Sequence, residues 1–355
     1  MSAPPKTPQF GGARPDAVDE VANEDASAIS SADAGTRWAF LDGWTRALTA
    51  HARHLRSSSK PLTAPVMVIY VDDSGVFASS HGWSSERLLG TAPSDNLAGI
   101  LAVGTAEFGG FARPARLTQT PEFTAEIDRL GLGSNLTVAL MATDRLYVWP
   151  EGIADGAKAS VRTLDDAPIE IDLAHIEQQL DLFYKEEARD RTKWWRDADQ
   201  RITVNQPEAA VQETLRVFLL ARYAEVAKVR EEVVSGNGRM DLTIQPTNGS
   251  HASAVLELKT IRDVRTPKRA TSKPIEISLK TNTRWAKYGI QQAAAYRDRE
   301  RFSAAILCLF DFCKSQGEAV EASVAQPAAS YHVRMRRYWI SASHDELREK
   351  LYPVN

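Results

Sequence analysis

Phe40, Leu41, Trp44 and Leu48 recur at helical spacing, and the pattern predicts a helix over residues 38–55. The β-branched run Pro65-Val-Met-Val-Ile-Tyr-Val71, followed by Asp72-Asp73-Ser74-Gly75, predicts a strand closed by a hairpin turn. Strand character returns over residues 97–105 and 136–149, the latter with a turn at Asp144-Arg145, and a helix around residues 121–130 separates them. Residues 171–201 alternate in charge and contain Trp194-Trp195; they predict one long polar helix connecting two parts of the chain. Residues 1–35 lack such a pattern, and Phe10 is their only aromatic residue. They hold too little apolar surface to offset the entropy of ordering. Asp16, Asp19, Glu20, Glu24, Asp25 and Asp33 outnumber Lys6 and Arg14, so a disordered acidic tail is expected.

Past Pro207 charged residues enter the apolar pattern. Glu208, Val211, Gln212, Leu215, Phe218 and Leu219 share one face of a helix that starts at Pro207. Glu208 heads that face, whereas Glu213 lies on the opposite side. A carboxylate aligned with a buried stripe needs a partner or a metal. Two strand-like runs then flank Gly236-Asn237-Gly238 within residues 233–244, a hairpin signal because Asn and Gly tolerate positive φ. A third strand is predicted over residues 254–261. Alternation puts Val255, Glu257 and Lys259 on one of its faces, with Leu256, Leu258 and Ile261 mostly on the other. A helix over residues 285–299 and a strand over residues 303–310 follow.

Glu and Lys in the middle of an apolar strand are expensive to bury unless they pair or bind something. Asp241 and Glu257, converging from neighbouring strands, would supply hard oxygen ligands for Mg²⁺ or Mn²⁺. A metal there can polarise a phosphodiester, and Lys259 can orient water and offset negative charge on the phosphate. The other candidate clusters are weaker. His51 and His54 lack a third ligand at matching spacing and read as solvated surface residues, and Asp72-Asp73 reads as turn chemistry.

Composition narrows the class. Hydrophobic residues make up 43% and charged residues 25%, ordinary for a globular chain. Cys308 and Cys313 are the only cysteines, which excludes a disulfide framework and a four-cysteine zinc site and fits a reducing compartment. Apolar runs such as residues 97–103 and 304–310 fall far short of the ~20 residues that cross a bilayer. With no apolar core at the N-terminus, a soluble cytoplasmic protein without a membrane partner is expected. The net charge of −3 conceals an asymmetry: residues 201–355 carry 24 Lys and Arg against 17 Asp and Glu, and residues 1–200 carry 19 against 29. Only the C-terminal half is suited to a polyanion.

Gly238-Arg-Met-Asp241 and Glu257-Leu-Lys259, sixteen residues on from Asp241, resemble the motif of the PD-(D/E)XK nuclease superfamily, with Met240 in place of the Pro. The resemblance spans residues 205–341 and implies that Asp241, Glu257 and Lys259 are catalytic. It also implies that Asp241, Glu257 and the helical Glu208 hold the metal, with Glu213 the weaker alternative. Gln292-Ala-Ala-Ala-Tyr296 resembles the Gln-x-x-x-Tyr element of one branch of that superfamily, which implies that Gln292 and Tyr296 belong to the catalytic set as positioning groups; their i, i+4 spacing puts both on one helix face. Arg262, Arg265, Lys268, Arg269, Lys273, Arg284 and Lys287, with Lys280, form a basic stretch suited to phosphate-backbone contact. Trp285 and Tyr288 could stack on bases.

The expected fold is an α/β restriction-endonuclease-like domain over residues 203–355, a mixed central sheet flanked by helices. A separate α+β domain over residues 36–170 and a connector over residues 171–202 precede it. The expected function is Mg²⁺- or Mn²⁺-dependent hydrolysis of nucleic acid, DNA ahead of RNA, with restriction or anti-phage defence as the setting by analogy. The N-terminal domain would sense a trigger or bind a protein partner or a second copy. The alternative is a non-catalytic nucleic-acid-binding or assembly protein on the same fold.

Overall fold

The computed structural model describes residues 31–86, 97–105, 110–154, 159–164, 171–223, 226–235, 238–247, 252–265 and 274–352. The expected tail lies outside the described residues as far as residue 30. The first helix, α1 (Ser31–Ser57), starts earlier than its apolar pattern and buries Phe40, Leu41, Trp44 and Leu48 as that pattern requires. His51 is buried on α1, contrary to the expectation of a solvated residue; burial and the neighbouring His54 hold its pKa below the ordinary imidazole value.

Strand β1 (Val66–Tyr70) runs into helix α2 (Ser74–His81), not into a hairpin. Asp73 caps that helix, its Oδ1 accepting the Val76 N–H at 2.9 Å, so this member of the acidic pair serves a helix start. Next come β2 (Ser84–Glu86), β3 (Leu101–Gly104), β4 (Gly110–Ala112), α3 (Thr120–Arg129), β5 (Thr137–Ala142), β6 (Arg145–Trp149) and β7 (Ser160–Thr163). They build a seven-stranded mixed sheet in the order β2-β4-β3-β1-β5-β6-β7, in which only β1 and β3 pair in parallel. The turn between β5 and β6 and the span of α3 agree with their sequence signals.

The single helix expected over residues 171–201 is broken. Helix α4 (Leu173–Phe183) passes into a π-helical turn at Tyr184–Ala188 and a 3-10 turn at Thr192–Trp194. A two-stranded ribbon of β8 (Trp195–Asp197) and β9 (Ile202–Thr203) follows. Burial of the two tryptophans overrides the charge pattern, since Trp194 and Trp195 both pack edge-on against aromatic rings, Phe310 and Phe312 respectively.

Helix α5 (Pro207–Tyr223) stands between the two sheets. It therefore buries Val217, Leu220, Ala221 and Tyr223 in addition to the predicted face. The second sheet comprises β10 (Ala227–Ser235), β11 (Gly238–Pro246) and β12 (Ala254–Ile261). After the small ribbon of β13 (Val264–Arg265) and β14 (Ile275–Glu276), helix α6 (Leu279–Glu300) leads to β15 (Ala304–Asp311). Helix α7 (Gly317–Ser330), β16 (Arg334–Trp339) and α8 (His344–Leu351) complete the chain order. The sheet order is β10-β11-β12-β15-β16, antiparallel as far as β12 and parallel beyond it. Ser235 pairs with Gly238, which fits the hairpin signal; Gly236 and Asn237 lie outside the described residues. Ile261 packs with Val255 beneath α6 and α7, not with Leu256 and Leu258, as strict alternation requires.

One hydrophobic core runs from the first sheet through α1, α4 and α5 to the Leu256 and Leu258 face of the second. No described helix is long and apolar enough to cross a membrane.

Candidate active site

Strands β11 and β12 pair through Leu242–Leu256, Thr243–Val255 and Ile244–Ala254, and the ladder stops there. One residue beyond the last pair, Asp241 turns its side chain into the gap, where Oδ2 accepts the Leu258 N–H at 2.7 Å. The carboxylate takes the place of a strand-to-strand bond at the point where the ladder ends. Its own carbonyl accepts from Gln212 Nε2 on α5 at 3.2 Å.

The sheet brings Glu257 and Lys259 to the same place. Glu257 is 1% exposed, and its Oε1 accepts from Lys259 Nζ at 2.7 Å. Its Oε2 is buried without a hydrogen-bond partner. Lys259 Nζ also donates to the Leu258 carbonyl at 3.0 Å and stands 3.5 Å from Glu208 Oε1. Glu208 reaches in from the first turn of α5, and its Oε2 accepts the Thr260 N–H at 3.4 Å. Glu213 points away and pairs with Arg37 at 3.3 Å. The helix phase read from the sequence therefore separates the two glutamates correctly.

Burial, reinforced by the charge of Asp241, pushes the Glu257 carboxyl well above the usual carboxylate range. For Lys259, burial acts downward, but Glu208, Glu257 and Asp241 together outweigh it and hold the ammonium charged. Three carboxyl groups thus share one cation, and one carboxylate oxygen has no donor. That donor set fits a divalent ion held by Asp241 and Glu257. Mg²⁺ commonly takes one or two carboxylates and completes its shell with water and substrate phosphate. The expected third ligand is not assembled. Among the described residues no three His, Cys, Asp or Glu side chains form a metal-holding group, and Glu208 is directed at Lys259 instead.

Helix α6 closes the site from one side. A Cβ on Gly289 would stand 2.8 Å from Lys259 Cγ and 2.9 Å from Leu307 Cδ1, so only glycine lets the helix lie against the lysine stem. Sequence reasoning missed this residue, although Ala286, Gly289 and Ala293 form a stripe of small residues at helical spacing. It also missed the bond of Gln212 to Asp241. Gln292, one turn past Gly289, is half-buried with an unpartnered carboxamide oxygen. Tyr296 is buried in the apolar cluster with Val255 and Ile290.

The basic residues divide. Arg262 is buried and donates to Thr203 Oγ1 at 3.0 Å, which corrects its assignment to a nucleic-acid surface. Arg265 is half-buried on β13; Lys268, Arg269 and Lys273 lie outside the described residues. Lys280, Arg284 and Lys287 are exposed on α6. Arg334 and Arg336 pair with Glu177, and Arg337 pairs with Asp311 and Glu321, so β16 offers no free basic row.

A cavity of about 480 Å³ lies on the opposite side of α5, near Glu151, Arg191, Lys193 and Glu213. Its charges pair locally, Glu151 with Arg191 and Lys193, and Glu213 with Arg37. The buried carboxylate oxygen of Glu257 is unpartnered in direct company with a second carboxylate and an ammonium, those of Asp241 and Lys259. Compared with known proteins, the chain matches no family model and no curated sequence.

Proposed function

We propose that the chain is a metal-dependent nuclease of the PD-(D/E)XK kind, hydrolysing phosphodiester bonds of nucleic acid, DNA ahead of RNA. The observation that carries the reading is the buried Glu257 oxygen without a donor, placed beside Asp241 and Lys259 where the β11–β12 ladder ends. The succession α5-β10-β11-β12-α6-β15 supports it, because a helix, three antiparallel strands and a helix leading to a parallel strand is the order this reading expects. The division into a nuclease module from residue 203 and an N-terminal module over residues 36–170 belongs to the same proposal, as do a cytoplasmic setting and a role in defence against foreign nucleic acid.

Asp241 and Glu257 would hold the divalent ion, which when bound supplies Lewis-acid stabilisation of charge on the phosphate. Lys259, kept as an ammonium by its three acidic neighbours, donates to a non-bridging phosphate oxygen as negative charge builds there. Glu208 holds that ammonium in place and thereby acts as a positioning residue. Gln292 would orient the substrate from α6. The test is incubation of the full chain with plasmid, linear DNA and RNA in Mg²⁺, Mn²⁺ or EDTA. Cleavage that requires the metal and is lost in Glu257→Gln is expected; equal cleavage by wild type and Glu257→Gln would refute the assignment.

A further inference from the structure

Lys280, Arg284, Tyr288 and Gln292 stand four residues apart along α6 and form a single i+4 ridge on its surface. Lys280 and Arg284 are exposed, Tyr288 is 47% exposed, and Gln292 is half-buried. The ridge thus passes from solvent toward the flank of the helix that presses on Lys259 through Gly289. Lys287 lies beside it, also exposed. Among the described residues none of the three cations has an ion-pair partner, whereas farther along the helix Arg297 and Arg299 are paired with Asp298 and Glu300. The Tyr288 ring is thus about half open to solvent, on a row of cations without ion-pair partners among the described residues. At its buried end stands an amide oxygen without a partner.

We infer that this ridge is a track for single-stranded DNA, with Tyr288 stacking on an unpaired base and Lys280, Arg284 and Lys287 taking phosphates. The inference rests on the nuclease reading and adds the form of the substrate. Stacking on an exposed ring requires a base free of its partner strand, which a paired duplex does not offer. Charge complementarity supplies the rest: the cations match a polyanion, and a backbone contact demands no particular sequence. Twelve residues of helix rise about 18 Å, room for a few nucleotides of an extended single strand. A strand on the ridge would lead to Gln292 and so to the neighbourhood of Lys259.

The experiment is fluorescence anisotropy with the full chain in EDTA, so that binding is read without cleavage. The probes are a labelled thymidine 12-mer, the same oligomer in a duplex, a uridine 12-mer and polyglutamate as competitor. Tyr288→Ala should weaken thymidine 12-mer binding about 5- to 150-fold, the range of one lost base stack, and leave duplex binding unchanged. Tyr288→Phe should retain wild-type affinity. The Lys280→Ala/Arg284→Ala/Lys287→Ala variant should flatten the log-affinity against log-salt slope by about 2, from three single-strand contacts at about 0.7 each. All four positions are at the surface, so thermal melting should match wild type. Unchanged single-strand affinity in Tyr288→Ala, or an equal loss on duplex, would overturn the track. So would a uridine 12-mer bound tenfold more tightly than thymidine, or displacement by polyglutamate as effective as by the oligomer. The failure of each reading is separable: intact single-strand binding without metal-dependent cleavage removes the nuclease assignment alone, and the converse removes the track alone.

Discussion

The two sheets bury charge differently. In the seven-stranded sheet the central strands β1, β3 and β5 bury apolar side chains at their middles. Its buried Arg162, on the edge strand β7, donates to the Ala221 carbonyl at 3.1 Å and ties the sheet to α5. In the five-stranded sheet Glu257 and Lys259 occupy the middle of the central strand β12, paired there with β15 while the β11 ladder has ended. Asp311 and Glu257 are each 1% exposed. Both oxygens of Asp311 are satisfied, one by the Cys313 N–H at 2.9 Å and the other by Arg337 at 2.7 Å. Glu257 has one satisfied oxygen, one orphan, and a second carboxylate acting on it. Burial of an acid is therefore not by itself the mark of a site; at Glu257 incomplete compensation coincides with two further ionisable groups, Asp241 and Lys259.

The largest effect should come from the uncompensated group. Asp241→Asn and Glu257→Gln should abolish metal-dependent cleavage and remove Mg²⁺ binding in calorimetry, with the fold intact by circular dichroism. Lys259→Ala should keep the metal and lower kcat by about 10²- to 10³-fold, the usual loss for one donor to developing charge. Wild-type turnover in any of the three would erase the contrast between Glu257 and Asp311.

Gly289→Ala comes next. The added methyl group meets the Lys259 stem and Leu307. A displacement of about 1 Å at a reacting group costs about 10² in rate, and overpacking costs about 1–3 kcal/mol of stability. Steady-state kinetics should show the loss in kcat with KM nearly unchanged. A melting shift alone, with full kcat, would mean that the close approach is only packing.

Asp311→Asn should do the reverse. It leaves Arg337 short of one buried partner while Glu321 and Glu318 still face it. The expected loss is about 2–3 kcal/mol, below the full cost of breaking a buried pair. Urea denaturation should record it, and kcat per folded molecule should not move.

The smallest effect belongs to the first sheet's surface. Glu126 on α3 is held at a pKa of about 2 by hydrogen bonds from Arg129 and Arg113, working against burial. A depressed carboxyl stabilises the fold above its ordinary value of 4.5 and loses that contribution as pH falls through about 2. Glu126→Gln should therefore cost about 0.5–1 kcal/mol at pH 7, as solvent-screened pairs do, with the difference closing below pH 4.5. Thermal melts of both proteins across pH 2–7 would show it; a constant difference at all pH values would assign the effect to packing.

Local chemistry was enough to read much of this. Helical spacing after Pro207 placed Glu208 and not Glu213 toward the strands, and period-two alternation put Glu257 and Lys259 on one face, because both periods are properties of the backbone itself. Ser235 and Gly238 pair across the turn that Gly236-Asn237 signals. Tertiary packing decided the rest. Trp194 and Trp195 broke a segment whose charge pattern read as one helix, since burying two indole rings outweighs a weak helical preference. Asp73 became a cap and not a turn because the strand it follows finds its partners in β3 and β5, far along the chain. Arg262 left the expected basic surface for Thr203, fifty-nine residues away. Glu208 met Lys259 instead of joining the carboxylates of Asp241 and Glu257, and Gly289 met the lysine stem. Such contacts depend on which elements stack, and a one-dimensional pattern carries the period of each element but not its neighbours.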